Sequence, residues 1–401
     1  MNKDKFEIVV IGAGIIGLNV AIEIKKKFPD ASVCVLEKEE KYGMHASGRN
    51  SGVLHAGFYY SQDSSKAKFC RDGNLALTEY IKSKNITLNQ CGKVVVCKNE
   101  IDLENMETLL ERGLANGVDL ECISSKELAK IEPYAKTYKS AIFSRSTSSA
   151  SCEEVIRNLY EDALEMGIIF RFNEAFLDED SSSIVTNQGR IEFSFLINCA
   201  GLYADKIAKV FGYSKNTQII PFKGLYLKYK KKNNLIKRHI YPVPNIEQPF
   251  LGTHFTCGVN DTLKIGPTAI PALWPEQYDF FSNFRLKEFI EICKLDLNLF
   301  FSSPFNFKKL AFNEYLNLFK PRLVRLSNEL VKYKFHSNDF EWARSGIRAQ
   351  LINVISNELE MDFVIEGDSK SLHVLNAVSP AWTCSIPFAK HIVENALEKI
   401  G

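Results

Sequence analysis

From its amino end the chain sets a short apolar run, Phe6-Glu7-Ile8-Val9-Val10-Ile11, before a small-residue break, Gly12-Ala13-Gly14-Ile15-Ile16-Gly17. Leu18 to Phe28 then places Val20, Ala21, Ile24 and Phe28 at helical spacing. A second apolar run, Ser32-Val33-Cys34-Val35-Leu36, ends in Glu37. The pattern predicts strand, glycine turn, helix, strand and acid, with the acid 20 residues beyond Gly17. In such a unit Gly12 allows the tight turn, Gly14 lets the backbone approach a pyrophosphate and Gly17 seats the helix on the sheet. The helix amides, from Ile15 onward, face the anion, and Glu37 accepts the ribose hydroxyls. These residues point to a bound dinucleotide and leave NAD or FAD open.

The stretch after Glu37 changes character. Gly43 to Tyr60 is dense in Gly, Ser, His and Asn, a loop whose length and hydrogen-bonding side chains suit the wall of a polar ligand. Helical spacing returns over Lys66–Lys84 and Asp102–Ala115, with a strand at Lys93–Cys97 between them. Ser124-Ser125-Lys126-Glu127 and Ser151-Cys152-Glu153-Glu154 each have the form of a capping box opening a helix. A strand at Ile168–Phe172, two more around Ser181-Ser182-Ser183, and a buried strand Phe193–Gly201 ending in small residues follow. Alternation from Gln218 to Gly266 predicts antiparallel sheet (Gln218–Lys228, Ile240–Val243, Phe250–Thr256, Thr262–Gly266), and Phe280–Tyr333 predicts helices. The chain closes with strands at Asp362–Ile365 and Ser371–Leu375, a small-residue turn, and a helix from Trp382 or Thr383.

Composition narrows the class. A chain of 401 residues exceeds what one core usually serves, so two domains are expected. Lys and Arg number 50 against 48 Asp and Glu, which argues against a dedicated nucleic-acid binder. The ten cysteines form no C-x-x-C pair and mostly sit in apolar runs, as reduced core residues of a cytosolic protein do. Neither they nor the seven histidines show metal-ligand spacing. No signal peptide and no bilayer-length apolar run is evident, so a cytoplasmic location is expected, with peripheral contact on the inner membrane face as its extension.

Several blocks in order resemble the L-2-hydroxyglutarate dehydrogenase/oxidase family of the D-amino-acid-oxidase-like FAD enzymes. They are Asn50 to Tyr60, Cys199-Ala200-Gly201-Leu202-Tyr203-Ala204-Asp205, Pro221-Phe222-Lys223-Gly224, Ile240 to Pro244, Pro249-Phe250-Leu251-Gly252, Gly346-Ile347-Arg348-Ala349-Gln350 and Asn376 to Ala381. The chain departs from the family pattern at three positions: Arg49 stands in place of a histidine, Leu225 of a glutamate and Trp382 of a small residue. The resemblance implies non-covalent FAD and oxidation of a 2-hydroxy acid. It also implies an α/β fold with a Rossmann-like FAD domain (1–88, 141–216 and 341–401) interleaved with an antiparallel-sheet substrate or cap domain (89–140 and 217–340).

On that reading Gly12, Gly14, Ile15, Gly17, Glu37 and Lys38 hold the adenosine and pyrophosphate. Ser47, Arg49, Asn50, Ser51 and Gly52 run beside the pyrophosphate, ribityl chain and ring, Ala175 lies near adenine, and Ala200 and Gly201 form a further turn of the site. The last turn, Ser379, Pro380, Ala381 and Thr383, puts a helix N-terminus near the flavin pyrimidine; Ser379 and Thr383 read equally well as simple caps. His45 is a further candidate for lining the pyrophosphate. Oxidising a 2-hydroxy acid needs a carboxylate clamp and a proton acceptor. Arg348 is the clamp candidate, with a surface ion pair as its ordinary alternative, and His55 is the base candidate, with a purely structural hydrogen bond as its alternative. Tyr59, Lys223, Tyr241, His254 and Arg49 are candidates for a second substrate carboxylate, together with Arg348 for the first.

No second nucleotide motif or Fe–S cysteine set appears, so quinone or oxygen is the expected electron acceptor. The Phe-rich Phe280–Phe319 segment is expected to pack its aromatic face on the sheet, or else to rest on a membrane surface. Two rival functions remain at this point: oxidation of another small hydroxy or amino acid, and a flavin-binding scaffold or sensor without catalysis.

Overall fold

The computed structural model describes residues 4–180, 182–244, 252–304 and 306–400. Residues 1–3, 181, 245–251, 305 and 401 lie outside them, and with them the start of the expected Phe250–Thr256 strand. The chain divides into two compact units. One comprises Met1–Asn50, Cys152–Pro221 and Arg348–Gly401, the other Ser51–Ser151 and Phe222–Ile347.

The first unit is built on a mainly parallel sheet. Lys5–Ile11 lies between Gly189–Asn198 and Val33–Leu36, with Ile169–Arg171 beyond the latter, and all these pairings are parallel. The Val33–Leu36 strand is buried at every position, as a parallel strand covered on both faces must be. The long Gly189–Asn198 strand changes partners along its length. Its first half pairs antiparallel with Ser183–Thr186, its last residues parallel with Ser371–Val374. The helix Ile15–Lys27 packs against both Ala381–Ile400 and Cys152–Glu165. Register fixes the outcome: Ile11 pairs with Leu36 and Asn198, and Asn198 with His373, so four strands end at one edge. That carboxyl edge is where open α/β sheets take their ligands.

Asn198 holds this edge together. Its Nδ2 donates to the Ala204 carbonyl (2.8 Å) and to His373 Nδ1 (3.1 Å), and its Oδ1 accepts from the Ala200 N–H (3.1 Å). An accepting Nδ1 leaves the proton of neutral His373 on Nε2, which donates to Ser371 Oγ (3.0 Å). Burial outweighs the nearby Asp368 and pushes the His373 pKa from 6.5 down to about 4. In the unfolded chain His373 takes its proton near 6.5, so protons favour unfolding. The stabilisation is complete above that pH and is lost as pH falls toward 4, about 3 kcal/mol in all. His373→Asn is therefore expected to flatten the pH 7 to pH 4.5 slope of urea-unfolding stability; an unaltered slope would refute the assignment.

The second unit carries an eight-stranded sheet in the order Phe340–Trp342, Leu227–Tyr229, Leu263–Gly266, His254–Cys257, His239–Pro242, Lys93–Val96, Ser140–Ser144, Leu120–Ser124. The expected antiparallel character holds for every pair except one: Lys93–Val96 and His239–Pro242 run parallel. Alternate residues face opposite sides. Val94, Val96, Ile240, Phe255 and Ile265 share a core with Leu323 and Val324 of the helix Lys320–Asn328. Val95 and Tyr241 face the other way, into a core with Phe58, Met106 and Leu109. The capping box at Ser124 forms as expected, both hydrogen bonds included.

The Phe-rich segment folds as the helices Leu286–Ser302 and Phe307–Leu316, but most of its aromatic rings do not pack inward. Phe280, Phe281, Phe301, Phe312 and Phe319 are 66–88% exposed, while Phe307 is buried. The buried stripe of the first helix is aliphatic instead: Ile292, Leu295 and Leu299. No helix among the described residues is long and apolar enough to cross a membrane.

Candidate functional site

The glycine turn is a cradle that no side chain can fill. Gly12 has φ +103°, and a Cβ there would lie 2.6 Å from the Cys199 carbonyl oxygen; at Gly17 it would lie 1.9 Å from the oxygen of Gly12. Gly14 precedes the helix Ile15–Lys27 with no side chain of its own to cap it, and Ser47 Oγ accepts from the Ile15 N–H at 2.9 Å. Glu37, buried just past the second strand, accepts from the Ala13 N–H with one oxygen (2.9 Å) and the Glu39 N–H with the other (3.0 Å). Each carboxylate oxygen keeps a second acceptor site, enough for a pair of ribose hydroxyls. A helix N-terminus, side-chain-free glycines and a fixed carboxylate fit a dinucleotide.

The following loop is tied to that turn. The Gly43 N–H donates to the Ala13 carbonyl (3.0 Å), and Ala46–Gly48 makes a short 3-10 turn. Asn50 Nδ2 donates to the carbonyls of Ala46 (3.1 Å) and Ser47 (2.8 Å), and Arg49 Nε to that of Met44 (2.7 Å). Cys152 Sγ donates to Asn50 Oδ1 at 3.0 Å. Lys38 pairs with Glu39 and stands 5.4 Å from the centre of the Tyr203 ring. His45 Nε2 lies 2.9 Å from Glu39 Oε1, and that hydrogen bond, with Lys38, holds the Glu39 carboxyl down at about 2. Ser51 and Gly52 belong to the other unit, where the Gly52 carbonyl accepts from the Ala150 N–H (2.9 Å).

Other expected cofactor residues are placed as follows. Ala175 spends its backbone groups internally, its N–H on Asn187 Oδ1 (2.8 Å) and its carbonyl on the Asn187 N–H (3.2 Å). Ala200 and Gly201, the latter at φ +56°, form the turn after Asn198. Beyond Ser379 and Pro380 the last helix begins at Ala381, whose N–H donates to the Val378 carbonyl (2.9 Å). Thr383 is fully buried in its first turn, and Trp382 Nε1 and Ser385 Oγ are buried polar atoms without a hydrogen-bond partner among the described residues. Asn376, which the sequence pattern did not single out, fixes this turn. It donates to the carbonyls of Glu360 (2.8 Å) and Asp362 (2.7 Å) and accepts from the Leu351 N–H (3.0 Å). Leu351 lies on Gly346–Asn353, the strand that presents the partly buried Arg348.

In the second unit the sequence candidates His55, Tyr59, Tyr241 and His254 come together on one sheet face. The Tyr241 and His254 rings stack at 3.6 Å between centroids, and His254 Nδ1 lies 2.8 Å from the Gly252 carbonyl oxygen. The His55 carbonyl accepts from Asn74 Nδ2 (3.1 Å). Burial, and then the charges of Lys93, His254 and His239, hold the His55 imidazole well below its usual pKa, so it stays neutral through physiological pH. Lys223 lies apart from this group, on Thr217–Gly224 and paired at Ile270. One member was missed. Lys93 is fully buried, with its ammonium 4.7 Å from the ring centres of Phe58, Tyr59 and Tyr241. The available signal was a lysine in register with Val95 on an otherwise apolar strand.

Comparison with known proteins agrees with this geometry. Residues 7–395 match the family model DAO, FAD dependent oxidoreductase. The chain is 35% identical over 400 residues to an L-2-hydroxyglutarate dehydrogenase of Salmonella houtenae, covering 97% of this chain and 92% of that one. It is 33% identical over 421 residues to the mitochondrial L-2-hydroxyglutarate dehydrogenase of Homo sapiens, covering 99% and 90%. Among solved structures, the FAD-bound L-alpha-glycerophosphate oxidase of Mycoplasma pneumoniae superposes with a TM-score of 0.77 at 19% identity over 99% of this chain and 95% of that one. The glycine oxidase of Geobacillus kaustophilus does so at 0.71 and 15%, with the same coverage.

Proposed function

We propose, from the premise that this chain belongs to the DAO family of FAD-dependent oxidoreductases, that it oxidises L-2-hydroxyglutarate to the 2-oxo acid. The observation that carries the reading is near-full-length identity of 31–35% to several L-2-hydroxyglutarate dehydrogenases, over a chain whose dinucleotide cradle is intact. Gly12, Gly14, Gly17, Ser47 and Glu37 would hold the adenosine and pyrophosphate of FAD. Bound FAD supplies the acceptor for the two electrons that leave the α-carbon.

The chain's own residues supply the rest. Arg348 offers a planar fork of N–H donors, the group best suited to grip the carboxylate next to the reacting carbon. His55, neutral through physiological pH, offers a ring nitrogen to the hydroxyl proton. Its lowered pKa keeps that nitrogen free of a proton, and so available as an acceptor, at neutral pH.

We further propose that the electrons continue to a quinone at a membrane surface. The exposed rings of Phe280, Phe281, Phe301, Phe312 and Phe319, near Lys287, Lys294, Lys308 and Lys309 in sequence, support a peripheral contact. Oxygen is the competing acceptor.

Adding L-2-hydroxyglutarate to the purified yellow protein without oxygen is expected to bleach the flavin rapidly. Bleaching only by other hydroxy or amino acids would move the assignment to them, and bleaching by none would leave a flavin-binding scaffold. Once reduced, the protein is expected to reoxidise faster with a soluble ubiquinone analogue than with air, and to sediment with anionic vesicles. Fast reoxidation by air alone, with no vesicle binding, would favour oxygen.

A further inference from the structure

Among the described residues Lys93 has no hydrogen-bond acceptor for its ammonium, although the side chain is fully buried. The three surrounding rings attract a cation through their faces, but a ring face is at best a weak acceptor of an N–H. Beside it the Tyr59 hydroxyl is also buried and without a partner. Burial keeps that phenol protonated, so it too is a donor in want of an acceptor. The charges acting on His55 are those of Lys93, His254 and His239, and the one acting on Lys93 is the Cys70 thiol; none of these is a carboxylate. Ser144 and His239 stand opposite Lys93 on the neighbouring strands. A buried ammonium without a counter-charge is costly, and proteins keep such a group where a ligand completes it. Tyr59 and His55, both partly exposed, lie over it in the same loop.

We propose that the Lys93 ammonium and the Tyr59 hydroxyl seat the second carboxylate of the substrate, and that Lys93 selects a 2-hydroxy diacid over a 2-hydroxy monoacid. The inference rests on the L-2-hydroxyglutarate reading above. A monoacid of the same length leaves the ammonium unpaired, and unmet buried polar groups discriminate more sharply than lost apolar contact. The protonated amine makes this contact much more strongly than the neutral one, because its hydrogen bond is then charge-assisted. Burial holds Lys93 at about 7, so the contact weakens as pH rises through that value.

The test compares L-2-hydroxyglutarate with L-2-hydroxyvalerate, in which a methyl group replaces the second carboxylate, on flavin-loaded wild type, Lys93→Met and Tyr59→Phe. The ratio of kcat/KM for diacid over monoacid is expected to fall by about 100-fold or more in Lys93→Met and by roughly 3- to 10-fold in Tyr59→Phe. In the wild type, KM for the diacid should climb above pH 7 while that for the monoacid does not. Equal losses on both acids would overturn the proposal, as would a pH-profile shift shared by both, which would mean that Lys93 acts through His55. If Lys93→Met does not fold, Tyr59→Phe decides by the same ratio. A wild type that oxidises neither acid would refute the proposed reaction. Glutarate binding, read by tryptophan fluorescence, would then judge Lys93 separately: it is expected in the wild type, lost in Lys93→Met and weakened roughly 3- to 10-fold in Tyr59→Phe, and equal binding to all three would overturn the seat.

Discussion

Gly17→Ala protein is expected to leave purification colourless. The added methyl group would sit 1.9 Å from the Gly12 carbonyl oxygen and 3.1 Å from its carbon, both backbone atoms, so no side chain can swing away to make room. Either the helix Ile15–Lys27 lifts from the sheet or the Gly12 turn opens, and both movements displace the amides that face the pyrophosphate. Overpacking of this kind costs about 3 kcal/mol, which alone weakens binding roughly 100-fold. The measurement is the flavin absorbance per polypeptide after gel filtration, with far-UV circular dichroism to confirm a folded chain. A folded Gly17→Ala protein carrying a full complement of flavin would show that the turn does not hold the cofactor.

Arg348→Ala is expected to give the opposite phenotype, a yellow protein that has lost its grip on substrate. Removing one partner of a buried charge pair costs about 2–5 kcal/mol, which places the loss in kcat/KM at roughly 30- to 4000-fold. Arg348→Lys should recover only part of it, because an ammonium keeps the charge but not the paired, coplanar donors. The readout is the anaerobic rate of flavin bleaching against L-2-hydroxyglutarate concentration. Half-maximal bleaching at the wild-type concentration in Arg348→Ala would remove Arg348 from the role of clamp.

These two residues also show what could be read from the chain. The Gly12–Gly17 turn was legible because its logic is local: a strand, three glycines at fixed spacing, a helix and an acid all lie within one stretch of sequence. The pairing of Ile11 with Leu36 and Asn198 then converts that stretch into one edge of a sheet. His55, Tyr59, Tyr241 and His254 were legible as chemistry, and the register of Ile240 with Phe255 explains how two of them meet on one face. Lys93 was not. A lysine at the start of an apolar strand reads as its solvated end, and it is buried here because strands join it on both sides, one of them parallel and distant in sequence. Asn198 and Asn376 were missed for a related reason. Each satisfies backbone groups that lie far away in the sequence, and no pattern around the asparagine announces them. The aromatic segment misled in the other direction, since counting phenylalanines does not reveal that isoleucine and leucine fill the inward stripe.

The threading of the first unit bears on how the protein is made. Its central strand, Lys5–Ile11, emerges from the ribosome well before its parallel neighbour Gly189–Asn198, and the helix Ala381–Ile400 that packs on Ile15–Lys27 comes later still. The glycine turn is therefore synthesised early and left without its supports for most of translation. Apolar strands exposed for so long invite mispairing, and closing such long loops is slow. The nascent chain should thus depend on holding chaperones until the Ala381–Ile400 helix has emerged to cover Ile15–Lys27. Losing even the final helix would strip the cover from the first one.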